Sequence, residues 1–207
     1  PRTYPLRRGI MEELISKIFE GLNRAHGEYT LTGNLRADGK KQGKATTVRE
    51  DVTLQKWKDH IEGKKGLGII PINDDSMCKF GAIDVDNYKD LDYTKTLALI
   101  STLGLPLYAC RSKSRGVHLY LFLSKWTPAI LIQTKLKEFA AALGFGGSEI
   151  FPKQTEILAD RGDIGQWINM PYFGKDRWYK DMPLKEFLGQ IKPISIEELE
   201  SIQVKTK

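Results

Sequence analysis

Apolar and polar residues alternate along the chain in a way that predicts helices and strands interleaved from one end to the other. Apolar residues recur every three or four positions, the spacing of a half-buried helix, in five stretches. These stretches are residues 10–25, 53–63, 91–103, 128–143 and, as two short pieces, 184–207. In the fourth stretch, Thr127 is predicted to cap the helix and Pro128 to occupy its first turn.

Short runs rich in Ile, Val, Leu and aromatic residues lie between these helices and predict strands. The runs are residues 66–72, 78–86, 105–112, 117–123, 148–153 and 165–173. Several links between them are as short as those of β-hairpins, which favours antiparallel pairing. We therefore expect one compact α/β (α+β) unit with a mostly antiparallel sheet.

A glycine-rich segment over residues 33–50 is basic and contains few apolar residues. Its cationic side chains are Arg36, Lys40, Lys41, Lys44 and Arg49. The whole chain carries a formal net charge of +6, a balance that favours polyanionic partners such as nucleic acid or nucleotides. We expect the segment to be a mobile loop able to close on phosphate groups, and a solvated connector is the alternative.

Asp84 and Asp86 interrupt an apolar strand at alternate positions. Residues two apart on a strand point to the same face, so the two carboxylates are expected to project together. Their mutual repulsion, very roughly 3 kcal/mol at an effective dielectric near 20, is relieved when a divalent cation lies between them. Hard oxygen ligands of this kind suit Mg²⁺ or Mn²⁺. The alternative is an acidic strand face that meets only water.

Two further segments carry groups suited to phosphate or metal. Ser112, Arg115 and His118 surround a glycine turn, and their hydroxyl, guanidinium and imidazole donors suit phosphate oxygens. Glu149 and Lys153 share one face of the strand that begins at residue 148, where they could supply a metal ligand and a phosphate contact. The alternatives are an ordinary basic hairpin with a partly buried histidine and a surface ion pair of little energetic value.

Composition narrows the class of protein. Apolar residues make up 41% and charged residues 28%, which is ordinary for a globular domain. No apolar run approaches the roughly 18 residues of a membrane span, and no secretory signal opens the chain. Two cysteines are too few for a disulfide scaffold or a four-cysteine zinc site. We expect a soluble protein of a reducing compartment, the cytoplasm, and, because the chain opens on Pro1, a piece of something longer.

Taken in order, the three polar motifs resemble those of the archaeo-eukaryotic primase superfamily, the catalytic domains of primases and primase-polymerases. AIDVD matches the family's paired acidic motif, SKSRGVH its serine-to-histidine motif, and SEIFPKQ its third, carboxylate-bearing strand. The similarity covers roughly residues 30–175 and resembles the primase-polymerases of phages, plasmids and mobile elements.

The resemblance implies a fold and a set of site residues. The fold is the family's catalytic core, an RRM-like, mostly antiparallel sheet with a smaller N-terminal α/β part. Residues 1–190 would form this domain, and residues 191–207 a helical tail leading toward a helicase or other domain absent from this chain. The implied ligands of two Mg²⁺ or Mn²⁺ ions, and the catalytic residues, are Asp84, Asp86 and Glu149. The implied contacts to the incoming triphosphate are Ser112, Arg115, His118 and Lys153. Because many members carry Asp at the third position, Asp160 or Asp163 could replace Glu149.

The implied reaction is template-directed nucleotidyl transfer in DNA replication, with nucleoside triphosphates added to a primer 3′-hydroxyl on a DNA template. The sequence has no zinc-binding cysteine set, which makes chain extension a firmer expectation than unaided priming. Trp167, Asn169 and Tyr172 are candidates for stacking or hydrogen bonding to a base. Two alternatives belong to other classes: a non-catalytic nucleic-acid-binding replication module, and a nucleotide-sugar transferase with a DxD metal site.

Overall fold

The computed structural model describes residues 7–35, 37, 41–86, 91–113 and 115–204, and these residues form helices and strands along the whole described chain. The helices are α1 (Ile10–Ile18), α2 (Leu54–Ile61), α3 (Tyr93–Thr102), α4 (Ala129–Ala142), α5 (Leu184–Gln190) and α6 (Ile196–Ser201). The strands are β1 (His26–Leu35), β2 (Lys41–Val48), β3 (Gly66–Ile69), β4 (Met77–Val85), β5 (Tyr108–Arg111), β6 (Val117–Pro128), β7 (Glu149–Phe151) and β8 (Ile168–Asn169). A short 3-10 helix spans Ala159–Arg161.

The strands form two four-stranded sheets, and every pairing within each sheet is antiparallel among the described residues. The C-terminal sheet has the order β5-β6-β4-β7, and its chain order β4-α3-β5-β6-α4-β7 is the split βαβ arrangement of RRM-like domains. The N-terminal sheet has the order β2-β1-β3-β8. The predicted class, an RRM-like antiparallel sheet with a smaller N-terminal α/β part, is confirmed.

Strand β4 lies inside the C-terminal sheet, and its alternating side chains enter two different cores. Ile83 and Val85 pack in the cluster that contains α3 and α4. Phe80 and Ala82 pack in a second cluster, with α1, α2 and β3 of the N-terminal part. Because Asp84 is two residues beyond Ala82, its carboxylate continues the face that looks toward the N-terminal part.

The N-terminal sheet is covered on one face by the indole of Trp167. A Cβ at Gly27 or Gly68 would lie within about 2.1 Å of the Trp167 ring, so only glycine leaves room for it there. The indole Nε1 donates to Thr47 Oγ1 at 3.1 Å. Trp167, predicted as a possible base contact, is therefore packed against three strands of its own sheet.

The basic segment over residues 33–50 is not the predicted loop or connector. Its described residues lie largely in the antiparallel hairpin of β1 and β2, in which His26 pairs with Val48 and Leu31 with Gly43. Thr and Val residues suit the strands, while one side of the hairpin meets water and needs few apolar residues. The side chains of Arg36, Lys40 and Lys41 lie outside the described residues.

Two helix boundaries also differ from the prediction. Helix α1 ends at Ile18 because the following chain runs against β3: Leu22 N donates to Ile70 O at 2.9 Å, and a Cβ at Gly21 would lie 2.1 Å from that oxygen. At α4 the N-cap is Pro128, whereas Thr127 belongs to β6 and donates its hydroxyl to Lys125 O. The predicted Thr53 cap of α2 is confirmed, since its hydroxyl accepts from Lys56 N at 3.3 Å.

The C-terminal segment packs on the back of the C-terminal sheet. Ile194 N donates to Phe122 O, Ser124 N donates to Ile194 O, and Leu199 of α6 is fully buried. The domain boundary at residue 190 stays a prediction. None of the helices in the described ranges has the length and apolar character needed to cross a bilayer.

Candidate active site

The candidate site is centred on Asp84, near the end of β4. Asp84 pairs in register with His118 on β6 and with Glu149 on β7. Directly opposed residues of antiparallel strands share a face, with their Cβ atoms about 5 Å apart. The sheet therefore places Glu149, Asp84 and His118 side by side in one row, as the three sequence motifs require.

His118 is held by a chain of hydrogen bonds that runs behind it. Its Nδ1 lies 3.0 Å from the Tyr120 hydroxyl, and that hydroxyl donates to Asn169 O at 3.2 Å. Because the single hydroxyl proton goes to a carbonyl, the hydroxyl oxygen accepts from Nδ1, which must carry a proton. Tyr120 is fully buried, and burial raises the pKa of its hydroxyl well above the ordinary value, so it remains protonated.

The other ring nitrogen of His118 faces the acidic residue. Nε2 lies 3.3 Å from Asp84 Oδ1, a distance within ion-pair range. The contact lacks the alignment of a hydrogen bond, however, and Asp84 Oδ1 is buried without any hydrogen-bond partner. The contact is therefore weaker than its length suggests, because hydrogen bonds weaken steeply when bent. Both groups thus keep bonding capacity for a ligand.

A second row of the site lies one pleat further along the strands, at the turn between β5 and β6. Ser112 N donates to Gly116 O at 3.1 Å. A Cβ on Gly116 would lie 3.1 Å from Ser112 Oγ and 3.2 Å from Asp86 Oδ1. A Cβ there would also lie 2.1 Å from Val85 O, so only glycine fits this floor, which packs against β4 and is flanked by the hydroxyl and the carboxylate.

Each of these two rows contains an unpartnered polar atom. Among the described residues, four buried side-chain atoms have no hydrogen-bond partner: Asp84 Oδ1, Ser112 Oγ, Ser148 Oγ and Asn169 Oδ1. Asp84 belongs to the first row and Ser112 to the second. Since buried polar groups are normally paired, these two unpaired oxygens indicate a site that a ligand completes.

The remaining predicted residues lie at the rim of the site. Glu149 is 59% exposed, and its carboxylate pairs with Lys153 Nζ at 3.2 Å. Lys153 Nζ also lies over the Phe151 ring. Arg115 is exposed, has a positive φ of 65°, and makes no hydrogen bond or ion pair with any described residue. Its guanidinium is thus available to an anion.

The donor set fits a divalent cation that shares its ligands with a substrate. Within the described ranges, no three His, Cys, Asp or Glu side chains converge closely enough to hold a metal ion by themselves. Mg²⁺ is commonly bound by one or two carboxylates together with substrate phosphates rather than by an all-protein cage. The unpartnered Asp84 Oδ1 opposite Glu149, with Asp86 beside the Gly116 floor, matches that requirement.

Asp163 and Asp160 do not substitute for Glu149. Arg24 donates both to the Asp74 carboxylate and to Asp163 O, which places Asp163 near the start of β4. Asp84 lies seven residues further along the strand, roughly 23 Å away at 3.3 Å per residue. Asp160 lies in the neighbouring 3-10 helix. Tyr172 is likewise structural, since its buried hydroxyl donates to Met182 O and accepts from Tyr179 N.

The sequence prediction gives no role to two residues near this site. Tyr120 follows His118 at an alternate strand position and could have been found from that spacing. Arg177 lies in an irregular segment far from every motif, and only the tertiary structure brings it to the site. Neither buried cysteine takes part in chemistry here, because burial raises the pKa of Cys78 and Cys110 and keeps the thiols protonated.

Comparison with known families places these elements in a wider group. The family described as the archaeo-eukaryotic primase domain of the TOTE conflict system matches residues 29–182. The chain belongs to this family. The matched segment contains both rows of the site and most of both sheets. Archaeo-eukaryotic primase domains are usually nucleotidyltransferases.

Two further comparisons complete the description of this primase domain. A similar solved structure is the archaeo-eukaryotic primase domain of the primase-polymerase of cyanophage S-2L, with a TM-score of 0.44 and 14% sequence identity. The similarity covers 91% of this chain and 100% of the phage chain. A search among curated proteins found no significant match.

Proposed function

We propose that this domain catalyses template-directed nucleotidyl transfer, adding nucleotides to the 3′-hydroxyl of a primer paired to a DNA template. The observation that carries the proposal is the row of Glu149, Asp84 and His118 beside the Gly116 floor. Its unpartnered Asp84 and Ser112 oxygens form two halves of one site, one suited to a cation and one to phosphate.

The phosphate half is formed by the turn between β5 and β6. Ser112 Oγ and the Gly116 backbone would contact the β- and γ-phosphates, with Arg115 and Lys153 supplying positive charge from the rim. Because Nδ1 of His118 is committed to Tyr120, only Nε2 can face a phosphate oxygen, and it would donate to that oxygen in the doubly protonated imidazolium form. These donors would neutralise charge on the leaving group as it develops.

The acidic half would hold and orient the reacting groups. Asp84, Asp86 and Glu149 would bind Mg²⁺ or Mn²⁺, which when bound neutralises the triphosphate and increases the nucleophilicity of the 3′-hydroxyl. The 3′-oxygen then bonds to the α-phosphorus, the bond from that phosphorus to the bridging oxygen breaks, and pyrophosphate leaves with the electron pair. The hydroxyl proton passes to solvent.

The proposed partners are nucleoside triphosphates and a DNA primer-template in the cytoplasm, with a helicase or further domain elsewhere in a longer protein. The formal charge of +6 favours binding to a polyanionic strand. If basic side chains track the backbone, DNA affinity should fall steeply with salt concentration.

Primer extension tests the proposal. A labelled primer on a template is incubated with deoxy- or ribonucleotides and with Mg²⁺ or Mn²⁺, and a template-only lane reports unaided priming. We expect extension by the wild type and none by Asp84→Ala or Asp86→Ala. Asp75→Asn is the matched control, because Asp75 is exposed in the turn before β4 and far from the site.

Two results would contradict the proposal. One is near-wild-type extension by Asp84→Ala. The other is a wild type that binds DNA equally well with and without divalent ions and never consumes nucleotides, the behaviour of a non-catalytic nucleic-acid-binding module. Hydrolysis of a nucleotide sugar without any template would instead indicate a nucleotide-sugar transferase.

A further inference from the structure

Arg177 is a buried cation that forms no ion pair with any carboxylate of the described residues. The residue is only 7% exposed. Its guanidinium makes one hydrogen bond, from a terminal nitrogen to Met170 O at 3.1 Å, and lies 4.9 Å from the centre of the Phe173 ring. A guanidinium has five N–H donors, so most of its donating capacity is unused.

Burial of the Arg177 charge lowers the stability of the ligand-free domain. Arginine stays charged in proteins, and removing a charge from water is unfavourable unless an opposite charge replaces the lost hydration. Burial lowers the pKa of Arg177 from its ordinary value, and the nearby Asp176 carboxylate opposes this shift without cancelling it. The residue also adopts a φ of 63°, a left-handed conformation that non-glycine residues avoid.

The location of Arg177 connects it to the phosphate half of the site. Cys110 bridges Tyr179, and Arg111 N donates to Trp178 O, so residues 178–179 run antiparallel beside β5. Continuing this register by one residue, we infer that Arg177 lies next to Ser112. The guanidinium is also close enough to Tyr120 for each group to affect the pKa of the other, and Tyr120 supports His118 from the same face of the sheet.

Two features of this corner are thus incomplete in the same way. Ser112 Oγ is buried and unpartnered, and Arg177 is a buried charge that forms no ion pair with a carboxylate of the described residues. An anion with several oxygens would complete both at once. The planar fork of arginine matches phosphate geometry better than any other side chain does.

We propose that Arg177 anchors a phosphate-binding subsite beside Ser112 and Gly116, extending the cradle beyond the residues of the three sequence motifs. The inference rests on the proposed function for the identity of the ligand. The bound group is a phosphate, either of the nucleoside triphosphate or of the nucleic-acid backbone. Arg177 is retained for this ligand at the expense of stability in the ligand-free domain.

The stability consequence gives a test that does not depend on activity. Arg177→Met removes the charge and keeps a long apolar side chain with the same backbone strain. Arg177→Lys keeps the charge and loses the fork. Arg161→Met is the control, because Arg161 is exposed in the 3-10 helix. Each variant is measured by thermal unfolding without ligand, and by binding of tripolyphosphate and of a single-stranded oligonucleotide in EDTA at low salt.

We expect Arg177→Met to melt at or above the wild-type temperature without ligand, and to bind at least one of the two probes about tenfold or more weakly. Arg177→Lys should bind with intermediate affinity, and Arg161→Met should bind both probes like the wild type. A loss confined to tripolyphosphate identifies the triphosphate as the source of the phosphate, and a loss confined to the oligonucleotide identifies the strand backbone.

The opposite pattern overturns the inference. If Arg177→Met melts at a lower temperature and binds both probes within twofold of the wild type, the guanidinium is a structural link between Met170 and Phe173. Failure of the proposed function has a different signature, namely no primer extension by the wild type, and it leaves these binding and unfolding measurements interpretable.

Discussion

Two acidic residues, one on each sheet, differ in how far their hydrogen-bonding capacity is satisfied. Glu28 on β1 of the N-terminal sheet is paired with two lysines, Lys56 Nζ at 2.9 Å and Lys65 Nζ at 3.0 Å, and the ring nitrogen Nε2 of His26 lies 3.3 Å away. Burial raises the pKa of Glu28, but these hydrogen bonds outweigh it and lower the pKa to about 2. Asp84 is about as buried, yet one of its oxygens has no hydrogen-bond partner.

The difference separates a charge that stabilises the fold from one that is held ready for a ligand. Glu28 connects β1, α2 and the start of β3, so its bonds are satisfied within the protein. The bonding capacity of Asp84 is left open at the end of a strand whose other residues are well packed. Changes at the two carboxylates should therefore affect different measurements.

The largest expected effect is on catalysis at Asp84. Asp84→Asn should reduce nucleotide addition by about a thousandfold or more, because ion binding supplies several kcal/mol of transition-state stabilisation. Its unfolding free energy should be equal to or above that of the wild type, since no satisfied bond is lost. If Asp84→Asn lost activity only because it unfolds, Asp84 would be a stabilising charge like Glu28, and the proposed difference between the two carboxylates would be wrong.

The second expected effect is a loss of unfolding free energy at low pH, which arises in the N-terminal part. Burial lowers the pKa of His60 to about 3, and the histidine is neutral, with Nε2 donating to Pro171 O and Nδ1 accepting from Leu67 N. Unfolding raises that pKa to its ordinary value, so stability is full above pH ~6.5 and falls by about 1.4 kcal/mol per unit toward pH 3. Below pH ~4.5, Glu28 adds a further loss of stability as the pH falls toward its lowered pKa.

Denaturant unfolding at a series of pH values measures this dependence. The variant His60→Gln should flatten the slope between pH 6 and 4.5, where Glu28 still contributes little. An unchanged slope in that variant would show that other groups control acid unfolding.

Glu28→Gln should cost up to about 3 kcal/mol of unfolding free energy at pH 7, the value of a pKa lowered from 4.5 to about 2. The matched control is Glu62→Gln, whose exposed pair with Lys64 should contribute nothing measurable. Activity per folded molecule should be unchanged in both. If the two substitutions destabilised the protein equally, the ion pairs of Glu28 would contribute no more to stability than an exposed surface pair.

The smallest expected effect is on KM and concerns Tyr120, which positions His118 within the site. Tyr120→Phe keeps the stacked ring but removes the acceptor of His118 Nδ1, and KM for the nucleotide should rise about three- to tenfold with DNA affinity unchanged. Tyr108→Phe, which removes a hydroxyl bonded to Gln190 O, should leave KM unaffected. In a His118→Ala background Tyr120→Phe should have no further effect, and additive losses would argue against positioning.

Local sequence patterns predicted those features that depend on neighbours in the chain. The alternation of Ile83, Asp84, Val85 and Asp86 gave the two-faced strand, and the Thr53 cap followed from residue type alone. The N-terminal hairpin was missed because one of its faces meets water and lacks an apolar alternation. Arg177 could not be found at all, since its burial depends on an irregular segment that pairs with β5 through residues 178 and 179.

Gly116 and Asp84 are constrained for unrelated reasons, and this offers a way to sort relatives of the domain. A Cβ at Gly116 would lie 2.1 Å from Val85 O, so the sheet itself excludes every larger residue whether or not any substrate binds. A relative that had lost catalytic activity could thus replace the aspartate but would still need the glycine. Retention of glycine alone would then mark shared ancestry, and only the aspartate would mark a working enzyme.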